Sequence, residues 1–247
     1  MDENALRKDL ECIAGRRIFF GHQSVGADIM QGVRELSDGM PGSHLNLRRI
    51  ADSAGFRGPY FVDAMIGRNS DPASKCAAFS DDVDRLSKDS LDVAVMKFCY
   101  VDMKPETDVG EMFRTYERTI GELKGRHPGV TFVHVTVPLT ERSVWWKRLI
   151  KKVIGRTDTG EIGNGKRSEF NGMLLERFKG EPVFDLARIE STFPDGTRNS
   201  FEYGGRTSYC LVSAYTRDGG HLNDTGRKIV AGEFVQMLSD VIRREGK

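Results

Sequence analysis

Two runs near the middle of the chain, 93–98 (VAVMKF) and 132–137 (FVHVTV), are of strand length and rich in β-branched or aromatic residues. Such runs fit strands buried on both faces, as in a parallel sheet covered by helices on either side. Shorter apolar runs at 17–21 (RIFFG), 45–51 (LNLRRIA) and 183–187 (VFDLA) read as further strands, with the central pair extended to 91–98 and 131–138. Amphipathic stretches that fit helices lie between them, at 25–37, 75–88, 109–126, 168–179 and 224–244. The alternation predicts an α/β fold with a five-stranded parallel sheet in flavodoxin-type order 2-1-3-4-5 and helices on both faces. A binding crevice is expected at the carboxyl ends of the first and third strands, where the strand order reverses.

At 247 residues the chain is expected to form one domain, 1–247. Three stretches break the rhythm and are expected as long crevice-side loops, at about 52–74, 139–167 and 190–217. A net charge of +1 and the absence of a dense basic tract argue against a nucleic-acid partner. The charged start MDENALRKDLECIAGRR has no apolar core of a signal peptide, and no run is long and apolar enough to span a bilayer. A cytoplasmic protein is therefore expected. Cys12, Cys76, Cys99 and Cys210 are far apart, with no CxxC pair, and are expected as reduced thiols. The five histidines show no HxH or HExxH spacing, so no metal site is expected.

Candidate chemistry lies at the two ends of the chain. The first strand runs straight into GHQSVG and then into a helix, which puts Ser24 at the carboxyl end of that strand. Ser24 fits a helix N-cap or a mount for a nucleophile. Near the other end, DGGHLN carries an Asp three residues before a His, with two glycines to supply the turn. An Asp so placed can accept from the imidazole Nδ1–H, fixing the tautomer and supporting the imidazolium that forms when His221 takes a proton. Ser24, His221 and Asp218 thus make a candidate Ser–His–Asp set. The α/β-hydrolase elbow GxSxG does not fit GHQSVG, which has one residue too many between Gly21 and Ser24.

These motifs resemble those of the SGNH (GDSL-like) hydrolases. DGGHLNDTGRKIVAGEF is similar to the family's last motif, including Gly226, and GHQSVG resembles its first motif less closely. The resemblance implies a three-layer flavodoxin-like domain and an esterase working through an acyl-enzyme on Ser24, with no cofactor. It points to a small acyl group, acetyl above all, on a carbohydrate. It also implies an oxyanion hole built from the Ser24 N–H, a glycine after the second strand and an asparagine after the third. Gly67 is the expected glycine, although Gly55 and Gly58 also follow that strand. After the third strand the chain reads MKFCYVDM, without the family's asparagine, and Asn69 is the candidate replacement. His22, Gln23 and Tyr100 are expected to contact substrate, and Lys97 and Asp102 to lie at the crevice mouth. The basic segment VWWKRLIKKVIGR, with Trp145 and Trp146, reads as a lid, a membrane-surface helix or a sugar-stacking element, or simply as a packed surface helix. Two other functions stay open on the sequence: an acyltransferase using the same triad, and a non-catalytic carbohydrate-binding member of the fold.

Overall fold

A computed structural model describes residues 2–50, 58–142 and 159–246. The chain opens with α1 (Glu3–Ala14), β1 (Arg17–His22) and α2 (Ser24–Asp38), followed by β2 (Leu47–Arg49) and β3 (Tyr60–Met65). Then come α3 (Pro72–Leu86), β4 (Val93–Met96), α4 (Val109–Arg126), β5 (Thr131–Val135) and α5 (Thr159–Arg177). The last part holds β6 (Val183–Phe184), α6 (Leu186–Ser191), a hairpin of β7 (Ser200–Tyr203) and β8 (Arg206–Tyr209), and α7 (Asp224–Arg244).

Among the described residues the central sheet has six parallel strands in the order β2-β3-β1-β4-β5-β6. The flavodoxin-like arrangement is as expected, but the count is six rather than five. The residues at 60–65, expected within a loop, are the strand that pairs with β1, in register Phe19↔Val62. The run at 45–51 supplies only a three-residue edge strand beyond it. The expected loop at 190–217 carries the antiparallel β7–β8 hairpin, and 159–167 is the first half of α5. Trp145 and Trp146, with the whole basic segment 144–156, lie outside the described residues.

Alternation along β1 divides the core in two. Ile18 and Phe20 face one side, where α1, α2 and α7 contribute Leu10, Val33, Phe234 and Leu238. Phe19 faces the other, against Phe79 of α3, Leu123 of α4 and Phe170 of α5. Every one of these side chains is under 1% exposed, and each such burial contributes about 1.5–3 kcal/mol before entropy is subtracted. Strands buried on both faces leave only their ends for chemistry. β3 and β4 flank β1 on opposite sides, so the order reverses there and the loops after β1, β3 and β4 converge.

His134, on β5, is a core residue. Its ring stacks on Phe178 at 3.7 Å, Nδ1 meets the Tyr116 hydroxyl at 2.7 Å and Nε2 meets Glu181 at 3.0 Å. Burial pushes its pKa down to about 4 despite the Glu181 carboxylate. The folded pKa lies below the unfolded one, so the unfolded chain takes up the proton first, and stability is lost as pH falls from about 6.5 toward 4. Between about pH 7 and about pH 5 this group alone removes about 2 kcal/mol. Urea titrations should therefore show a shallower loss of stability over that interval in His134→Gln than in the unsubstituted protein.

Candidate active site

At the end of β1 the chain turns into α2 with Gln23 as the N-cap residue, and Ser24 is the first residue of the helix. Ser24 is thus not a capping serine. The Gln23 side chain makes no cap bond. Its Nε2 donates instead to the carbonyls of Ile66 (2.7 Å) and Gly67 (3.1 Å), fastening the loop after β3 to the end of β1. His22 is 1% exposed. Its Nδ1 lies 3.1 Å from the Gln23 carbonyl and its Nε2 3.1 Å from Asp63. A Cβ on Gly26 would sit 2.3 Å from the His22 Cβ, so only glycine lets the helix come this close. His22 and Gln23 were expected to touch substrate, but here they build the turn, their polar atoms spent inside the protein.

Ser24 Oγ lies 3.9 Å from Cys99 Sγ, and among the described residues no acceptor takes the Ser24 N–H. An open N–H at a helix N-terminus suits an anion. Cys99 itself is buried, as is usual for a strand-end thiol.

The opposing wall is the loop before α7. Asp218 accepts from the backbone N–H of Gly220 (3.0 Å) and His221 (2.8 Å) through Oδ1, and its Oδ2 meets His221 Nδ1 at 2.6 Å. The backbone N–H of His221, more than any other group, holds the Asp218 carboxyl down at about 2. An ionised carboxylate at 2.6 Å puts the proton on Nδ1 and leaves Nε2 as the basic face of the ring. The sequence feature HLN then seats the helix. Asn223 accepts from the Gly226 N–H at 3.0 Å, and its Nδ2 donates to the carbonyls of Ala214 and Thr216.

The two walls are stitched together by Asp28, one turn along α2 from Ser24. Its Oδ2 accepts from the Leu222 N–H at 3.1 Å, and its Oδ1 from both terminal nitrogens of Arg217, at 3.1 and 3.0 Å. Arg217 also donates to the Leu222 carbonyl. Ser24 and His221 do not hydrogen-bond to each other. The turn at 99–102 lies beside both: Cys99 meets the Ser24 hydroxyl, and the Tyr100 ring stands edge-on to the His221 imidazole with centroids 5.7 Å apart. A Cβ on Gly220 would come within 2.8 Å of that ring. Tyr100 is half-buried, and burial raises its pKa.

Gly67 has φ +55°, and a Cβ there would lie 2.5 Å from the Lys75 backbone nitrogen, so the turn after β3 requires glycine. Asn69 is exposed and its Oδ1 accepts from Lys75 Nζ at 3.2 Å. Lys97 and Asp102 were expected at the crevice mouth, and both are buried. Lys97 donates to the Phe98 carbonyl at 2.9 Å, and burial lowers its pKa. Sequence reasoning missed Asp28, Lys75, Arg167 and Arg217, whose partners are distant in the chain. Only the placement of Asp28 one helical turn after Ser24 could have drawn notice. A separate groove of about 640 Å³ between α5 and the β7–β8 hairpin is lined by Gly165, Met173, Tyr203 and Arg206, and none of the triad candidates lines it.

No protein-family model and no curated protein matches the chain. Among solved structures, a Streptococcus pneumonia protein provisionally described as a platelet activating factor is similar, with a TM-score of 0.52 and 13% identity over 97% of this chain and 90% of that one. A carbohydrate esterase family 3 structure from Talaromyces cellulolyticus aligns with a TM-score of 0.49 and 12% identity, over 92% of this chain and 97% of that one. The periplasmic domain of a lipopolysaccharide acetyltransferase from Salmonella ser. Paratyphi A aligns at 0.47 and 14%, over 90% and 84%. At these identities the likeness is one of fold. That fold is a three-layer, flavodoxin-like α/β architecture.

Gly226 offers a direct check on the seating of the His221 loop. A Cβ there would lie 2.3 Å from the Tyr215 carbonyl oxygen, a backbone atom that cannot rotate away. Gly226→Ala is expected to cost about 1–3 kcal/mol in a denaturant titration and to broaden or shift the His221 imidazole resonances.

Proposed function

We propose that the chain is a serine ester hydrolase of the SGNH type, with Ser24 as nucleophile, His221 as general base and Asp218 as the group that orients it. The observation that carries this reading is the Asp218–His221 pair at 2.6 Å, on a loop that Asp28 fastens one turn along the helix from Ser24. His221 Nε2 takes the proton from Ser24 Oγ as that oxygen attacks the ester carbonyl. The same imidazolium returns the proton to the departing alcohol. Water, deprotonated by His221, then attacks the acyl carbonyl, and the imidazolium gives that proton to Ser24 Oγ as the acid departs. The mechanism requires the Ser24 hydroxyl to turn from Cys99 toward the imidazole, and free enzymes commonly hold such bonds loosely. The oxyanion falls to the Ser24 N–H, the Gly67 N–H and the Asn69 carboxamide.

The acyl group is small, acetyl above all, and the alcohol a carbohydrate. That half of the reading rests on the resemblance of DGGHLNDTGRKIVAGEF to the family motif. An acetyl aryl ester is the first substrate to try. Ser24→Ala should remove essentially all turnover, and equal rates in the two proteins would take Ser24 out of the mechanism. A non-catalytic binding role draws on the missing Ser24–His221 bond. It predicts that a fluorophosphonate leaves Ser24 unlabelled, whereas the hydrolase reading predicts labelling.

The low pKa of Asp218 has a kinetic signature. With that carboxyl ionised down to about 2, its own protonation should add no step to the acid limb of kcat/KM until the pH falls close to that value. Asp218→Asn should lower kcat by roughly 10⁴-fold while leaving the fold intact, because the amide no longer enforces the Nδ1–H tautomer.

A further inference from the structure

Beneath the crevice lies a buried ion pair that the proposed mechanism does not use. Lys75, on α3, is fully buried, and its Nζ donates to both oxygens of the buried Asp102 carboxylate, at 2.7 and 2.6 Å. Asp102 also accepts from the backbone N–H of Ser70 at 2.9 Å and of Cys99 at 2.8 Å. One carboxylate thereby binds the loop after β3 to the turn after β4. The third direction of the ammonium is toward Asn69 Oδ1, at 3.2 Å.

An ammonium can only donate. Whatever it touches on Asn69 must be the oxygen, so the amide cannot flip, and the Nδ2 hydrogens must face the other way. Among the described residues Nδ2 has no partner. Asn69 belongs to the loop that Gln23 ties to the end of β1, beside Ser24. The position after β4 that lacks an asparagine is filled by Cys99, Tyr100 and Val101.

We propose that Lys75 is the positioning residue of the oxyanion hole, holding the Asn69 carboxamide by its oxygen so that its NH₂ group is presented to the oxyanion, with Asp102 as the counter-charge that fixes the ammonium. The inference rests on the hydrolase reading. It assigns the task of the missing asparagine to a side chain from the neighbouring loop, oriented from below. A donor of this kind matters more in the transition state than in the ground state, so its loss falls on kcat rather than on KM.

The test compares kcat and KM for an acetyl aryl ester, and the rate of Ser24 phosphonylation by a fluorophosphonate, across Asn69→Ala, Asn69→Asp, Lys75→Met and the Asn69→Ala/Lys75→Met double variant. Asn69→Ala should lose roughly 10²-fold in kcat, with KM changed by less than about threefold. Asn69→Asp keeps the bond to Lys75 but turns the outward donor into an anionic acceptor, and should fall below Asn69→Ala in both readouts. Lys75→Met should lose kcat in the native background and almost nothing further once Asn69 is Ala, because the two act through one amide. Lys75→Met strands the Asp102 carboxylate, so if it does not fold, the order of Asn69→Ala and Asn69→Asp decides, both being changes at an exposed position. Unchanged kcat in Asn69→Ala, an Asn69→Asp variant as active as Asn69→Ala, or losses that multiply in the double variant would overturn the proposal while leaving the triad in place. An unsubstituted protein that neither turns over ester nor is labelled at Ser24 overturns the hydrolase reading, and this inference with it.

Discussion

A carboxylate taken out of water must be given donors, and Asp102 receives four hydrogen bonds: two from the Lys75 ammonium, one from Ser70 N–H and one from Cys99 N–H. Leaving such a group uncompensated is among the costliest faults a folded chain can carry. The loops after β3 and β4 are therefore tied to each other, although the first has only an isolated bridge, Arg68↔Asp71, and the second only a single 3-10 turn, Tyr100–Asp102. Asp28 does the same work at the other wall, where two donors from Arg217 and one from Leu222 converge on a single side chain of α2. The crevice is held by these two anions, each satisfied by groups from other parts of the chain.

That design explains which parts of the site were legible in the sequence. The Asp218–His221 pair was readable because it is local: carboxylate, imidazole and the glycines of the turn fall within four residues, and chain geometry alone brings them together. Ser24 was readable through its place between a strand and a helix. The clamps were not, since Asp28 meets Leu222 across 194 residues and Lys75 meets Asp102 across 27, and a lone Asp or Lys in an amphipathic helix reads as a solvated face. Lys97 was misplaced for a related reason: it is fully buried and its ammonium donates to the Phe98 carbonyl, which no local pattern signals. His22 was misjudged because its partner, Asp63, belongs to the strand that was itself missed.

The sheet shows the same division between local and distant information. The strands 93–96 and 131–135 are buried on both faces and announce themselves by β-branched content. β3 (Tyr60–Met65) pairs with the full length of β1, yet it follows a glycine-rich stretch and contains Asp63, so its run looked like loop. The more strand-like 45–51 proved to be a three-residue edge, where the adjacent Arg48 and Arg49 face water. Central position in a sheet is a tertiary property, and a short strand with one charged residue can hold it when a neighbour meets that residue, as His22 Nε2 meets Asp63 at 3.1 Å.

Beyond β5 the same physics takes a third form. β6 pairs over only two residues, so the chain at 137–140 leaves the sheet with its backbone amides needing acceptors inside the protein. Side chains supply them: Asn171 takes the N–H of Val137, Glu190 that of Leu139, and Asn164 that of Thr140. Arg167 completes the array by donating to Asn164, to the Thr140 hydroxyl and to the Tyr100 carbonyl. Burial dominates the ionisation of these groups, raising the Glu190 carboxyl to about 8 and lowering the Arg167 guanidinium to about 10. The amides of Val137, Leu139 and Thr140 thus meet acceptors inside the protein as they would on a ladder strand. Tyr100, whose carbonyl accepts from Arg167, stands edge-on to His221 and so links this array to the imidazole. The 3-10 turn beside the candidate nucleophile is thus held from one side by Lys75 through Asp102 and from the other by Arg167 through the Tyr100 carbonyl, two buried cations satisfied by groups of a single short turn.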